Sequence, residues 1–502
     1  MTEGPRRLPL WAWGVPCALA CLAAWSRLRG VSGPETLLTD AAVWGLSTLV
    51  LGGALHLALK QKWRLQLAGL LLTTLAWVTQ VQDLSQRQAG AGPDILLVTL
   101  DTFRADHLGP NTPALNALVQ EGAHFTNAVT TAPLTAPAHA SMLTGKSTPE
   151  HGLTANGDAL DVPTVVPQIA ARGYSTAAFL SSKVLERGTG LNQGFGLYAD
   201  VWTWRGRQGV FPVVSVLLGH GPGQRRGDHT VRQAQAWWRA QDGPRFAWVH
   251  LYDAHAPYAP PHEWQPDEDT QRELAAQART TPAPEDTREW MQSLPERHSA
   301  SQRALYAAEV AYVDHLVGQL LASVSPDTVV LVVADHGEGF GEHQDAFLHG
   351  ANLYEPSLNV PFIVRWTGHV APGPQAQLTS IEAIAGILAQ ASGATWDTPG
   401  LGAEPLSVLA FTPGQQSRST MNPGPAASVA ALRFQDSKLV QDEGEAQRGY
   451  RLSTDPKELF PLAPTWVDPA ATQDLQRLLE HPPEPLGQDA VEQLKALGYF
   501  SH

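Results

Sequence analysis

The sequence predicts an α/β fold, a central sheet with helices on both faces, preceded by three transmembrane helices. Three observations carry that expectation. Beyond residue 93, short β-branched apolar runs alternate with longer Ala- and Leu-rich stretches. Before it, three apolar segments of 17 to 19 residues follow one another without a charge. Between the two lies VQDLSQRQAGAGPD, polar and rich in Gly and Gln, which reads as a short tether.

The apolar segments are Leu8 to Ser26, Ala41 to Leu59 and Leu65 to Val81. About 20 helical residues cross the hydrocarbon layer, so three such segments in succession predict membrane spans. A cleaved signal peptide accounts for only the first. Arg6 and Arg7 precede span one, and Lys60, Lys62 and Arg64 lie between spans two and three. Arg27, Arg29 and Arg87 fall on the opposite side. Five basic residues against three put the N-terminus inside, and three spans then put everything after residue 82 outside the cytoplasm. The expected protein is therefore a multi-pass membrane protein, residues 1–92 forming anchor and tether.

Charge divides the chain at the same place. Residues 1–92 hold eight Lys and Arg against four Asp and Glu, so the whole chain's net charge of −14 leaves −18 on residues 93–502. That part repels nucleic acid, and no nucleic-acid partner is expected. Both cysteines, Cys17 and Cys21, lie in the first apolar segment. The outer part has no thiol for a disulfide, a thiolate metal site or a cysteine nucleophile, and its core alone must hold it.

In the outer domain, 93–500, the runs DILLVTL, STAAFL, RFAWVHL, TVVLVVA and VPFIVRW read as strands. Helices are expected near 113–121, 229–240, 301–323 and 379–391. Residues 265–299 are charged and aperiodic except around EWMQSL, and read as an insertion near the site mouth or a mobile loop. Residues from about 400 to 500 form a smaller C-terminal part.

Three of the apolar strands end in polar residues. DILLVTL ends in Asp101, TVVLVVA in Asp335 and His336, and RFAWVHL near Asp253 and His255. Ligands in open α/β sheets bind beyond the carboxyl ends of strands, so these ends are expected to share one crevice. His250 reads as a structural strand-end histidine. The segment ADHGEGFGEHQDAFLHG gathers Asp335, His336, Glu338, Glu342, His343, Asp345 and His349 among glycines that let backbone approach a ligand. Carboxylates with imidazoles suit a divalent ion, Ca²⁺, Mn²⁺ or Mg²⁺, and the lack of thiols excludes a structural zinc site of the usual kind.

In TTAPLTAPAHASMLTG, Thr135 precedes Pro137 by two residues. Coordination to a divalent cation would lower the pKa of its hydroxyl, making a poor nucleophile an adequate one, with Pro137 fixing the turn that presents it. By spacing alone the stretch reads equally as a Thr- and Pro-rich surface turn leading into a helix, HASMLTG. Lys146 and His151 are candidates to line the pocket.

Residues from about Asp94 to Arg365 resemble the sulfatase family of the alkaline phosphatase superfamily, several motifs falling in order. DILLVTLDTFRADHLG is similar to the family's first strand and metal-binding Asp, which falls on Asp101. LTAPAHASMLTGKSTPEHG is similar to the signature C/S-x-P-S/A-R…TG, with the nucleophile position on Thr135, the Arg position on His139 and the closing pair on Thr144 and Gly145. HLYDAHAPYAPP resembles the H-x-x-D-x-H-x-P-Y segment, and VVADHGEGFGEH the second metal pair, Asp335 and His336. LHGANLYEPSLNVPFIVR resembles the stretch that carries the leaving-group Lys or His, which lands on His349. YRLSTDPKELFPLA and EQLKALGYF extend the likeness to about residue 500.

The resemblance implies an alkaline-phosphatase-like sheet and metal-dependent hydrolysis of sulfate or phosphate esters. Asp101, Thr135, Asp335 and His336 would bind the ion, Thr135 would attack, His139 and His255 would stabilise negative oxygens, and His349 would protonate the leaving group. Three departures qualify it. Thr135 stands where sulfatases carry a formylglycine made from Cys or Ser, so no formylglycine is expected and the Thr ester must be displaced by water or another acceptor. Thr102 stands where many sulfatases have a further metal-binding Asp, and His139 replaces the usual Arg. Two other functions fit the same motifs: a membrane phosphotransferase moving a head group onto a lipid or envelope glycan, and a non-catalytic membrane-tethered binding protein.

Overall fold

The computed structural model describes residues 92–200, 224–280, 296–343, 349–350, 352–402, 405–413, 427–467 and 469–480. Contacts divide the chain into two compact units, Gly92–Val231 with Arg245–His502 and Met1–Ala91 with Arg232–Pro244; the described sheets and the site lie in the first. Among the described residues no helix is long and apolar enough to cross a membrane, and the three expected spans lie outside them.

The central sheet is built from β1 (Ile95–Leu100), β2 (Ala123–Phe125), β4 (Ser175–Leu180), β5 (Leu197–Ala199), β6 (Arg245–Leu251), β7 (Val329–Ala334), β8 (Phe362–Arg365) and β9 (Gly373–Gln375). Its order is β5-β4-β6-β1-β7-β8-β2-β9. The five strands from β5 to β7 are parallel, whereas β8 runs antiparallel to both β7 and β2. Every residue of β1 and β7 is buried, which requires cover on both faces and explains why these runs are apolar without alternation. All five strands expected from sequence are present.

The helices are α1 (Pro113–Glu121), α2 (Thr135–Thr144), α3 (Thr148–His151), α4 (Val166–Ala171), α5 (Gly227–Ala240), α6 (Glu268–Thr280), α7 (Glu296–Leu321), α8 (Glu355–Leu358), α9 (Ala383–Ser392) and α10 (Pro469–Glu480). Pro113 opens α1, where no intrahelical donor is missed, and Asp314 of α7 accepts from the next two amides, Ala114 N at 3.0 Å and Leu115 N at 2.8 Å. The helix expected at 379–391 begins only at Ala383. Thr379–Ser380 instead form a strand, β10, paired in parallel with β3 (Ala128–Val129). Residues 265–299, read as an insertion or loop, contain α6, and 281–295 lie outside the described residues.

The C-terminal part is an antiparallel meander, β11 (Val408–Thr412), β12 (Val429–Arg433), β13 (Ser437–Asp442) and β14 (Arg448–Arg451). Alternation assigns its faces. Val408, Ala410, Val429, Ala431 and Val440 pack with Leu353 and Leu358, while Phe411 and Ala430 pack with Leu475 and Leu479 of α10. The first face thus covers the segment that follows His349.

Candidate active site

The site assembles at the carboxyl ends of β1, β6 and β7. In β1 the two-residue period puts Thr99 and Asp101 on one face, and the register with β6 sets Thr99 opposite His250. β7 delivers Asp335 and His336 immediately after its last residue. Asp101 N bonds Leu251 O at 2.9 Å and Asp335 N bonds Leu100 O at 3.3 Å, so sheet pairing continues into both acidic ends. Gly337 is required next: a Cβ there would meet Pro356 O at 1.9 Å.

Thr102, directly after Asp101, holds φ +53, a left-handed conformation that a β-branched residue rarely adopts. The turn aims its amide at Asp335 Oδ1, 3.2 Å away, and His336 N reaches the same oxygen at 2.8 Å. Strain of this kind persists where surrounding contacts enforce it.

Thr135 is the first residue of α2 and is buried. Its Oγ1 lies 3.4 Å from Asp101 Oδ2 and 3.5 Å from His336 Nε2. Pro137 does not fix a turn, contrary to the expectation from sequence; it sits at the third helical position, where its missing N–H costs nothing. Gly145, with φ +70, ends the helix in a left-handed cap.

Ligand atoms of Asp101, Asp335 and His336 lie within 4.8 Å of one another, all three residues buried. Asp101 Oδ1 and Asp335 Oδ2 are buried without a hydrogen-bond partner. A buried polar group left unpaired costs about 1–3 kcal/mol, and these are acceptors facing no donor, so the donor set fits a divalent cation. Burial pushes both carboxyls above their ordinary values, Asp101 adding to the rise at Asp335. His336 is opposed by burial, but Asp335 and Asp101 raise it above an ordinary imidazole. Its Nδ1 donates to Gly337 O at 3.0 Å, which leaves Nε2 facing the site.

His349 Nδ1 lies 3.1 Å from Glu338 Oε1, and its ring centroid is 4.5 Å from that of His336 and 4.9 Å from that of His255. Burial and the His336 ring hold His349 well below an ordinary imidazole, and its Nδ1 pairs with the Glu338 carboxylate. His255 Nδ1 is taken by Tyr252 Oη and Ala256 O, leaving Nε2 for an incoming group. Burial lowers His255 to about 4.

Other candidates are turned to different work. His139 was expected to meet a negative oxygen, yet its Nδ1 bonds Thr135 O at 2.7 Å and its Nε2 meets Thr99 Oγ1 at 2.9 Å, so neither nitrogen is left for substrate. His151 bonds Ser141 Oγ at 3.0 Å and accepts from Leu153 N at 3.1 Å, joining α2 to α3 rather than lining a pocket. Lys146 is exposed. Asp253 accepts twice from Gly227 N, at 3.1 and 2.9 Å, and so caps α5. Glu342 pairs with Arg104 at 2.9 Å, and His343 stacks on Tyr354. Asp345 lies outside the described residues.

Sequence reasoning gave no site role to Glu338, His250 or Thr99. The glycine-flanked cluster pointed to Glu338; for His250 and Thr99 the only signal was a polar residue inside each of two apolar strands. His250 is fully buried, with Nε2 3.3 Å from Asp101 Oδ2.

Comparison with known proteins agrees with this geometry. Residues 93–394 match the model of the Sulfatase family. An arylsulfatase of Clostridium perfringens is 24% identical over 343 residues, covering 57% of this chain and 71% of the relative. A choline-sulfatase of Rhizobium meliloti is 26% identical over 451 residues, 79% of this chain and 84% of the relative. Among solved structures, the phosphonate monoester hydrolase of Agrobacterium radiobacter superposes with a TM-score of 0.57 at 19% identity, covering 81% of this chain and 95% of that one, a likeness of fold. With more than half its length matching the family, and the acidic strand ends converging as described, this chain belongs to the sulfatase family and is a sulfatase-like hydrolase of sulfuric or phosphoric esters.

Proposed function

We propose that this protein hydrolyses a sulfate or phosphate ester with Thr135 as nucleophile, beside a divalent cation held by Asp101, Asp335 and His336. The observation that carries the reading is the Thr135 hydroxyl at the N-terminus of α2, 3.4 Å from Asp101 Oδ2 and 3.5 Å from His336 Nε2. When bound, the cation supplies positive charge that lowers the pKa of a neighbouring hydroxyl and offsets charge on ester oxygens.

In the first half-reaction Thr135 Oγ1 forms a bond to phosphorus or sulfur and the bond to the leaving oxygen breaks. Its proton passes toward Asp101 Oδ2, which already accepts from it. His349, paired with Glu338, gives a proton to the departing alcohol. Water then displaces the Thr ester and restores the hydroxyl. The arylsulfatase and choline-sulfatase relatives support a sulfate ester, and the phosphonate monoester hydrolase fold neighbour is compatible with a phosphorus centre. The three apolar N-terminal segments support a membrane-anchored enzyme with this domain outside the cytoplasm.

The test is turnover of p-nitrophenyl sulfate and of p-nitrophenyl phosphate diesters with Mn²⁺, Mg²⁺ or Ca²⁺ added. Thr135→Ala is expected to lower kcat by about 10⁴-fold or more, roughly 5.5 kcal/mol, as loss of a nucleophile does. Hydrolysis unchanged by that substitution rules out Thr135 as the attacking group.

A further inference from the structure

Residues 337–342 read Gly-Glu-Gly-Phe-Gly-Glu, every second residue a glycine, and Gly341 sits at φ +94. A backbone of this kind is the freest a chain can have, so the place of Glu338 between its glycines must be fixed from outside. That place matters to the site. Glu338 is wholly buried and reaches His349 with one oxygen, Oε1 lying 3.1 Å from Nδ1, while Oε2 accepts from Tyr258 Oη at 3.4 Å. With Nδ1 turned to that carboxylate, Nε2 is the nitrogen left for a departing oxygen, and its aim follows wherever Glu338 is put.

The outside support is Arg104, in the turn that follows β1. Its side chain is 7% exposed, and its fork works in two directions. Nε and Nη2 grip the two oxygens of Asp106, at 2.9 and 2.7 Å, which fixes the plane of the group. Nη1 points the other way and donates to Glu338 O at 2.8 Å and to Glu342 Oε1 at 2.9 Å, while the Phe340 ring lies 4.3 Å from the guanidinium carbon. Arg104 therefore touches all three residues that alternate with the glycines. Arg303 of α7 also donates to Phe340 O, at 2.7 Å, but it is exposed and its bond falls two residues short of Glu338. Arg104 is itself anchored, its amide donating to Tyr306 Oη at 2.9 Å and that hydroxyl donating to Thr102 O at 2.8 Å. One planar fork thus joins the turn after β1 to the loop after β7.

Resting on the function proposed above, we infer that Arg104 is a positioning residue for ester cleavage: it fixes the backbone of Glu338 and, through it, the direction in which His349 presents Nε2 to the leaving oxygen. An arginine that only holds the fold together is the competing explanation. The surroundings of the guanidinium allow the two to be told apart. The side chain of Asp106 is 62% exposed and that of Glu342 27%, so water reaches both when the cation is removed, and no fully buried charge is left alone. Removing Arg104 therefore loosens the Glu338 segment at a modest cost to the fold.

Proton delivery matters most where the departing alcohol is a poor leaving group, so the test compares esters. For the full chain in detergent, kcat/KM, which covers the step in which the leaving oxygen departs, is measured with p-nitrophenyl sulfate and phenyl sulfate and with the matching phosphate diesters. Arg104→Met is expected to lower kcat/KM by about 10- to 100-fold for the phenyl ester and by less than about 3-fold for the p-nitrophenyl ester. Glu338→Gln should show the same split, and the double variant should be no worse on the phenyl ester than Glu338→Gln alone, since the arginine acts through that residue. Where Arg104→Met does not fold, Arg104→Lys keeps the charge between Asp106 and Glu342 without the planar fork and carries the same expectation. An equal loss on both esters, or losses that add in the double variant, overturns the positioning role. A wild type that turns over none of these esters, or turnover that survives Thr135→Ala, overturns instead the proposed function, and this inference with it.

Discussion

Two buried polar clusters in this protein differ in what balances them. Under the C-terminal meander, Lys438 pairs with Glu458 and with Glu355 at 3.1 Å, donates to Leu353 O at 2.8 Å, and Arg433 reaches Glu355 at 3.1 Å. Two cations meet two carboxylates; Lys438 and Arg433 hold Glu355 below its ordinary range against burial, while burial raises Glu458 in spite of Lys438. At the ends of β1 and β7, two carboxylates meet histidines of which burial lowers His139 and His250, and polar atoms of Asp101, Asp335 and His250 lack a hydrogen-bond partner. Burial pushes both of those carboxyls up. The first cluster is balanced in charge by the chain, each carboxylate having a cation beside it, and reads as structure. The second has an excess of acceptors and reads as a place for a ligand.

The sharpest way to break that contrast is to remove one charge from the satisfied cluster. Lys438→Met leaves Glu458 buried without its cation and Glu355 with Arg433 alone, and is expected to cost about 3–5 kcal/mol in denaturant unfolding. Asp335→Asn should behave in the opposite manner. It removes repulsion with Asp101, and an amide oxygen can still accept from Thr102 N and His336 N. Metal-free stability should hold or rise, whereas stabilisation by Mn²⁺, about 2.7 kcal/mol at 100 times Kd in the wild type, should vanish. Equal destabilisation by the two substitutions would erase the distinction between the clusters.

A smaller effect comes from His151, buried but uncharged between Ser141 and Leu153. Burial lowers it to about 4 in the fold, against about 6.5 in an unfolded chain. Between those values the unfolded chain binds the extra proton, so stability falls as pH drops from 6.5 and levels off below about 4. His151→Gln should flatten the slope by about 1.4 kcal/mol per pH unit across that window, read from unfolding at several pH values. A slope unchanged by the substitution would mean that the ring is already protonated in the fold.

Much of this was legible in the chain. Apolar runs ending in Asp101, Asp335 and His336 gave the parallel strands and the acidic crevice, because strands buried on both faces must be apolar until they emerge. Thr135 was legible only from its resemblance to a signature, since a Thr-Pro turn and a helix start look alike in sequence. What could not be read was which histidine points where. His250 faces Asp101 because β6 pairs with β1 in one register, and a shift of one residue would turn it to the other face. His139 lost its expected role for a similar reason: α2 seats it against Trp248 and Thr99, contacts made across 109 and 40 residues of chain. The strand at Thr379–Ser380 was hidden because its partner, Ala128–Val129, lies far away in sequence.

The most direct measurement is anomalous diffraction from crystals soaked in Mn²⁺. The account predicts one strong peak within about 2.5 Å of side-chain atoms of Asp101, Asp335 and His336, next to Thr135 Oγ1. A peak confined to other residues, with no density at these strand ends while Mn²⁺ supports turnover, would contradict it.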